Sequence, residues 1–268
     1  MLATGLKHSK AGKAERKIRR LTKALGAVRE LDVTLHLLSD LTQSDKHART
    51  ALEEVRAHVV AERDQRRERM LKRLGGVNAS KLERRLASVA EAIERSQGDE
   101  WRTTLATRLL GRAKRLGAAI EEAGQMYAPE GLHNVRIAAK KLRYGLELAA
   151  DGGVPGATPL LRPIRRVQDV LGRLHDLQIL QTHVAAVQAG AEAERPGMHE
   201  ALASLARHIE DECRHLHGRY LMSADTLCQA CDVIRTKLVH EMQKPRSRRP
   251  LKMMLPRRSS AAASGGRR

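Results

Sequence analysis

Aromatic side chains are almost absent from this sequence. Its 268 residues include one Trp, three Tyr and no Phe. β-Sandwiches and β-barrels draw on aromatic and β-branched residues, so the composition argues against a β fold. Proteins that bind single-stranded nucleic acid usually stack bases on aromatic rings, and four aromatic residues leave little for that.

Long apolar runs and abundant cysteines are missing as well. Charged residues interrupt each apolar stretch well before the roughly 18 residues that a membrane span needs, so no membrane-spanning helix is predicted. The N-terminus has no continuous apolar segment of the kind found in signal peptides. Three cysteines do not make a disulfide framework in a chain of this size. These absences predict a cytoplasmic protein.

Acidic residues are outnumbered by basic ones. The chain has 50 Lys and Arg against 31 Asp and Glu, a formal net charge of +19. Such a charge attracts anions, and the candidates are nucleic acid, an anionic membrane surface or a soluble polyanion. Nine of the basic residues lie in residues 244–268, a segment without acids that is predicted to be a disordered basic tail.

Apolar residues at helical spacing predict an all-α protein built from long antiparallel helices. Helices are predicted over residues 10–40, 45–74, 80–97, 100–124, 130–150, 160–189, 197–219 and 224–243. Pro163 is placed in the first turn of its helix, where its missing N–H costs nothing. In the first helix, the stripe expected to be buried consists of Ile18, Leu21, Leu25, Val28, Leu31 and Leu35.

Two of these helices repeat one another. A shift of 146 residues superimposes Arg16 on Arg162, Leu25-Gly26 on Leu171-Gly172 and Glu30-Leu31 on Asp176-Leu177. The match includes arginines, a glycine and an acid as well as apolar residues, which indicates duplication. One helical domain is therefore predicted over residues 1–243, with repeat one at about 1–125 and repeat two at about 126–243. A glycine inside a helix costs about 1 kcal/mol relative to alanine, so a close backbone approach is expected at Gly26 and Gly172, by another helix in preference to a ligand.

The helix over residues 131–148 carries the densest basic row. His133, Arg136, Lys140 and Arg143 recur at helical spacing on one face, and Lys141 flanks them. The opposite face carries the apolar stripe Leu132, Val135, Ala139, Leu142 and Leu146. Like charges three and four residues apart repel one another, so the row is expected to face an anion or an acidic partner. An ordinary solvated basic face is the alternative.

These motifs resemble those of a known family. The pattern H-x-x-R-x-x-x-K-K-x-R-Y at 133–144, the pattern L-G-x-L-x-D-L at 171–177 and the segment A-L-G-A-V-R-E-L-D-V at 24–33 are similar to those of the CHAD family of α-helical domains. The resemblance covers about residues 10–240. It implies a helical bundle of two repeats that binds inorganic polyphosphate through a basic surface or channel and associates with polyphosphate granules.

The resemblance also implies which residues bind polyphosphate. It assigns the contacts to His133, Arg136, Lys140, Lys141, Arg143, Arg19, Arg20, Arg165 and Arg166. Helix geometry adds Arg16, Lys23 and Arg162, which share faces with these residues. The repeat shift puts the counterpart of His133 before Met1, so repeat one is expected to lack its first H-x-x-R helix. Lys72 and Arg73, outside these faces, are expected to contribute little.

No sequence motif points to catalysis. Phosphate-binding glycine loops and nucleophile elbows are absent, so the chain is expected not to be an enzyme and to need no cofactor. The acids Glu30, Asp32, Asp169 and Asp176 are expected to form salt bridges with the basic helices. A helical nucleic-acid-binding protein and a metal-dependent phosphatase or phosphotransferase remain the alternatives.

The cysteines and histidines give no clear metal site. The Cys228-x-x-Cys231 pair, with Cys213, His215 and His217 upstream, lies within a predicted helix and is read as packing rather than as a zinc or redox site. The remaining histidines, His58 and His183 among them, show no ligand spacing. No metal ligand is therefore predicted.

Overall fold

The computed structural model describes residues 9–44, 49–95, 100–190 and 196–244. These segments are helical almost throughout and contain no strand, which confirms the predicted all-α class. The elements are α1 (Ser9–Ser44), α2 (Arg49–Gly75), α3 (Ala79–Arg95), α4 (Glu100–Ala123), α5 (Pro129–Asp151), α6 (Ala157–Gly190), α7 (Pro196–Val233), a π-helical turn (Ile234–Leu238) and α8 (Val239–Gln243). From residue 245 onward, the predicted basic tail lies outside the described residues.

Local chemistry accounts for several helix ends. The side-chain oxygen of Asn78 accepts a hydrogen bond from the backbone N–H of Lys81 at 2.8 Å and so caps the start of α3. Pro129 opens α5, a position where its missing N–H has no helical partner to lose. Because α6 begins at Ala157, Pro163 lies in its second turn, and its predicted place in the first turn is wrong.

The last part of the fold is one long helical segment. Residues 197–219 and 224–243 were expected to be two helices, but α7 continues to Val233 and passes through the π turn into α8. Tyr220 lies within the expected break and is buried, as is Leu227 beyond it. Gly218, at the expected end of the first helix, does not stop α7.

The apolar stripe of α5 occupies the centre of the core, because α5 packs on α4 and on α6. Its residues Leu132, Val135, Ala139, Leu142 and Leu146 are at most 2% exposed, as the sequence predicted. α7 packs on α6 and, with the π turn and α8, also contacts α4, while α1 pairs with α2. The burial of this stripe orients the basic row of α5 away from the core.

The predicted apolar stripe of α1 is only partly buried. Val28 and Leu31 lie in the core, but Ile18 is 39% exposed and Leu25 is 48% exposed. In the first half of α1 the buried side chains are instead the small Ala14 and Ala24. The prediction that Ile18 and Leu25 are buried is therefore wrong. Residue spacing alone does not show which of two adjacent apolar stripes on a helix is covered by the neighbouring helix.

Salt bridges join α1 to α2. The Arg63 guanidinium pairs with Asp32, and Arg66 Nη1 lies 3.6 Å from Glu30 Oε1. Asp32 and Glu30 therefore form salt bridges with basic residues of α2, as expected from the sequence. Because the pairs are partly exposed, each contributes little to the free energy of folding, on the order of 0–1 kcal/mol.

Glycine permits a close approach at one helix contact, between α4 and α5. A Cβ on the buried Gly145 would lie 2.8 Å from Leu109 Cδ2 and 3.3 Å from Arg112 Nη1. Leu109 is itself fully buried and has little room to move. At Gly26 and Gly172, by contrast, a Cβ would meet nothing within 4 Å. The expectation of close helix packing at these two glycines is wrong.

Within the described ranges, no helix is both long enough and apolar enough to cross a membrane.

Alanine substitutions at two helical glycines are predicted to change stability in opposite directions. Gly145→Ala should lower the free energy of unfolding by about 1 kcal/mol or more, because the methyl group overpacks the contact with Leu109. Gly172→Ala should raise it by up to about 1 kcal/mol, because alanine is the better helix former and the space is open. Urea unfolding followed by circular dichroism measures both. Equal shifts would contradict the difference in packing.

Candidate anion-binding site

The α5–α6 face is the first of two basic regions. Two contacts set its antiparallel register: the ring centroids of His133 and His175 are 5.1 Å apart, and Arg165 Nη2 lies 3.0 Å from Glu147 Oε1. The face comprises His133, Arg136, Lys140 and Arg143 from α5 and Arg162, Arg165 and His175 from α6. The structure thus brings together seven residues, six of which the sequence predicted to bind polyphosphate.

Gly172 leaves open space within this face. It lies one turn before His175 and two turns after Arg165, so it shares their side of α6. The register sets it level with Arg136 and Lys140. Since a Cβ there would meet nothing within 4 Å, the backbone of α6 is open between these cations. A ligand bound to the cations could therefore approach the backbone of α6 at this point.

Glu147 offsets part of the positive charge of the face. One oxygen of Glu147 accepts a hydrogen bond from Arg143 at 3.2 Å and another from Arg165 at 3.0 Å. The Arg143 guanidinium also lies over the Tyr144 ring, 5.0 Å from its centroid. Among the described residues, the buried Arg143 Nε has no hydrogen-bond partner. The two arginines are thus held in position and keep a net positive charge and spare donors.

Charges from both helices shape the other end of the face. Burial, reinforced by the positive charge of Arg136 and then by His133, lowers the pKa of His175 to about 4. Burial also raises the pKa of the Asp176 carboxyl, although the positive charges of Arg136 and Arg173 lower that pKa in part. His175 is therefore neutral near pH 7.

The α1–α3 pocket is the second basic region, with a cavity of about 630 Å³. It is lined by Lys13, Arg16, Lys17, Arg20, Leu21 and Lys23 of α1, by Arg73, Gly76 and Val77 at the end of α2, and by Arg85 of α3. No acidic side chain is among these described lining residues. Seven cations around one cavity repel one another, and a bound anion would relieve that repulsion.

The two regions are separate. Arg173 Nη1 of α6 lies 3.8 Å from Asp40 Oδ2, which ties the C-terminal part of α1 to α6. Arg29 and Glu30 of α1 lie near Asp176 of α6, and Arg20 is about 15 Å further along α1 from Glu30, at 1.5 Å per residue. The basic residues predicted on α1 therefore do not join those of α5 and α6 in one compact site.

Three predicted residues lie outside both regions. Arg19 is exposed but does not line the pocket. Lys141 lies next to the α5 row, and its carbonyl oxygen accepts a hydrogen bond from Arg112 of α4. Arg166 lines a small cavity between α6 and α7 together with Arg219. Adjacent residues on a helix differ in direction by about 100°, which separates Lys141 from Lys140 and Arg166 from Arg165.

Four cations of the pocket were missed by the sequence prediction. Lys13 and Lys17 lie on either side of Arg16 on α1, and Arg73 and Arg85 come from α2 and α3. Arg73, which the sequence placed outside the binding faces, lines the pocket. The sequence did contain a signal for these residues. The turn at Gly75-Gly76 reverses the chain, so that α3 lies beside the first half of α1.

The cysteines are free and show no metal-binding arrangement among the described residues. Burial raises the pKa of all three thiols, and that of Cys231 reaches about 12. His217 packs between the rings of Tyr127 and Tyr220. His58 and His183, which show no ligand spacing in the sequence, converge with Glu62 into a group that could hold a metal ion.

Replacing His175 is predicted to change the pH dependence of stability. Because its pKa falls to about 4 on folding, the unfolded chain binds more protons between that value and about 6.5, the usual pKa of histidine. Its contribution to stability is therefore fully present above pH 6.5 and is lost as the pH falls towards 4. His175→Gln should flatten the decline of the free energy of unfolding over this window, as measured by urea titrations at pH 7, 6 and 5. The exposed His208→Gln is the control, and parallel curves for all three proteins would contradict the prediction.

The comparisons with known proteins agree with these features. A family model described as CHAD domain matches residues 2–185, which include α1 to α5, most of α6 and both basic regions. The family is linked in general to the binding of polyphosphate or triphosphate. No curated protein and no solved structure matches the chain. A match over more than half of the sequence shows that this chain belongs to the CHAD domain family.

Proposed function

We propose that this chain binds inorganic polyphosphate through the α5–α6 face and the α1–α3 pocket, associates with polyphosphate granules and catalyses no reaction on the polymer. The observation that carries the proposal is the α1–α3 pocket, where seven cations surround one cavity without an acid among the lining residues. An ordinary solvated surface intersperses acids among its bases. The excess of cations is suited to a ligand with many negative charges.

The chemistry of polyphosphate suits these residues. The polymer carries about one negative charge per phosphate and offers no base to stack and no groove to read. Arginine presents a fork of donors that matches phosphate oxygens, and lysine adds a point charge. Binding releases counterions, so the affinity should fall steeply as salt increases.

The positions of the aromatic residues weigh against nucleic acid as the main ligand. Tyr220 is buried, Trp101 and Tyr127 are partly buried, and the exposed Tyr144 lies against the guanidinium of Arg143. Binding of single strands relies on exposed rings for stacking. Duplex phosphates could still bind the same cations, so duplex DNA serves as the competitor in the binding experiments.

Removing two charges from the α5–α6 face is predicted to weaken polyphosphate binding by about tenfold or more. Charge-assisted hydrogen bonds to phosphate contribute about 1.5–3 kcal/mol each, and Arg136→Ala with Lys140→Ala removes two such donors. Fluorescence anisotropy with labelled polyphosphate, at two salt concentrations and with excess duplex DNA, measures the affinity.

The matched control is Arg207→Ala with Arg214→Ala, which removes the same charge from exposed positions on α7. Its effect should be clearly smaller. Equal losses in the two double variants would mean that total charge alone determines binding and would contradict the assignment. Displacement of polyphosphate by duplex DNA would favour a general basic binder. Orthophosphate release in the presence of Mg²⁺ or Mn²⁺ would overturn the non-catalytic part of the proposal.

The contribution of the α1–α3 pocket is predicted to depend on the length of the polymer. Because the pocket and the α5–α6 face are separate, a long chain can occupy both, and the second contact is then intramolecular. Arg20→Ala with Arg73→Ala should therefore weaken binding of long polyphosphate by about tenfold and change the affinity of the α5–α6 face for a short oligophosphate little. Competition between labelled short and unlabelled long polymers measures the affinities of the variant and of the unsubstituted chain for both lengths. The same loss for both lengths would show that the two regions do not act as separate contacts on one chain.

A further inference from the structure

Two helices bring three potential metal ligands together away from the basic regions. His58 and Glu62 lie one turn apart on α2, so their side chains share a face. His183 of α6 approaches them, and its ring centroid is 5.7 Å from that of His58. One ligand atom from each of the three residues lies within 4.8 Å of the other two. The cluster therefore crosses the contact between α2 and α6.

The spacing of these atoms suits a metal ion better than a direct hydrogen bond. His183 Nδ1 is 3.6 Å from Glu62 Oε2, which is longer than a hydrogen bond. Two ligands of a tetrahedral zinc ion, each about 2.0–2.1 Å from the metal, are about 3.4 Å apart. Small rotations of the exposed His58 ring would bring its nitrogen to the same distance.

The surroundings of the cluster orient its ligands and leave a path from solvent. Arg66 pairs with Glu62 Oε1, which leaves Oε2 directed at His183. Hydrogen bonds from neighbouring groups commonly fix the carboxylate ligands of metal sites in this way. His183 is only 7% exposed, whereas His58 is exposed, so an ion could enter from the His58 side.

We propose that His58, Glu62 and His183 form a binding site for a divalent transition metal ion, with Zn²⁺ as the best match, and that the ion clamps α2 to α6. Two imidazoles and one carboxylate are a ligand set that zinc accepts, with water in the fourth position. Imidazole and carboxylate also accept Co²⁺, which serves as a spectroscopic probe. The site is independent of polyphosphate binding, and either proposal can fail without the other.

The test uses the full chain after treatment with a chelator. Calorimetric titration with ZnCl₂ should give one tight site per chain, and Zn²⁺ should raise the midpoint of thermal unfolding because it binds the folded state. His58→Gln should weaken that site by at least about tenfold and reduce the thermal shift accordingly. Because His58 is exposed, this variant should unfold at the same temperature as the unsubstituted chain when metal is absent.

A matched variant and a spectrum make the test specific. His208→Gln removes an exposed histidine from α7 and should leave both the affinity and the thermal shift unchanged. Co²⁺ should give visible bands typical of nitrogen and oxygen ligands, and these should be lost in His58→Gln. Equal zinc affinity in the two variants would overturn the proposal. Sulfur-to-cobalt charge-transfer absorption would place the metal at the cysteines and would overturn it as well.

Discussion

The burial of one side of α5 is the constraint on which the rest of this structure depends. Its five apolar stripe residues are almost fully removed from water between α4 and α6, and Gly145 lets α4 come close. Because side chains on a helix have fixed directions, this burial also decides where the basic row of α5 points. Apolar packing thus supplies the free energy that holds mutually repelling cations in one row, and the α5–α6 face is a consequence of the core.

Periodicity in the sequence was sufficient to predict the all-α class, most helix positions and the buried stripe of α5, because these depend on local spacing. It failed where a choice depended on distant partners. Ile18 and Leu25 have the right spacing for burial, yet the structure leaves both exposed. The continuous helix through Tyr220 shows the same limit, because the burial of that side chain depends on distant partners and the helix continues past Gly218.

The sequence predicted individual basic residues of the candidate site but not how the helices bring them together. A row such as that from His133 to Arg143 is visible in one helix, because its members are related by helical spacing alone. The α1–α3 pocket requires knowledge that α3 folds back beside α1, which brings Arg73 and Arg85 to the cations of α1. The convergence of His183 with α2 could not be read from spacing for the same reason, since its partners lie on a helix far away in sequence.

The peripheral position of α3 has a consequence for dynamics. It packs on α1, and none of its residues from 79 to 91 is buried, so little apolar burial opposes its detachment. Local unfolding of such a helix costs less free energy than global unfolding, and its amide hydrogens should exchange with solvent earlier than those of α5. Since Arg85 completes the α1–α3 pocket, an anion held there would oppose this opening. Ligand occupancy and the local folding of α3 are therefore thermodynamically linked, and amide exchange in α3 reports on both.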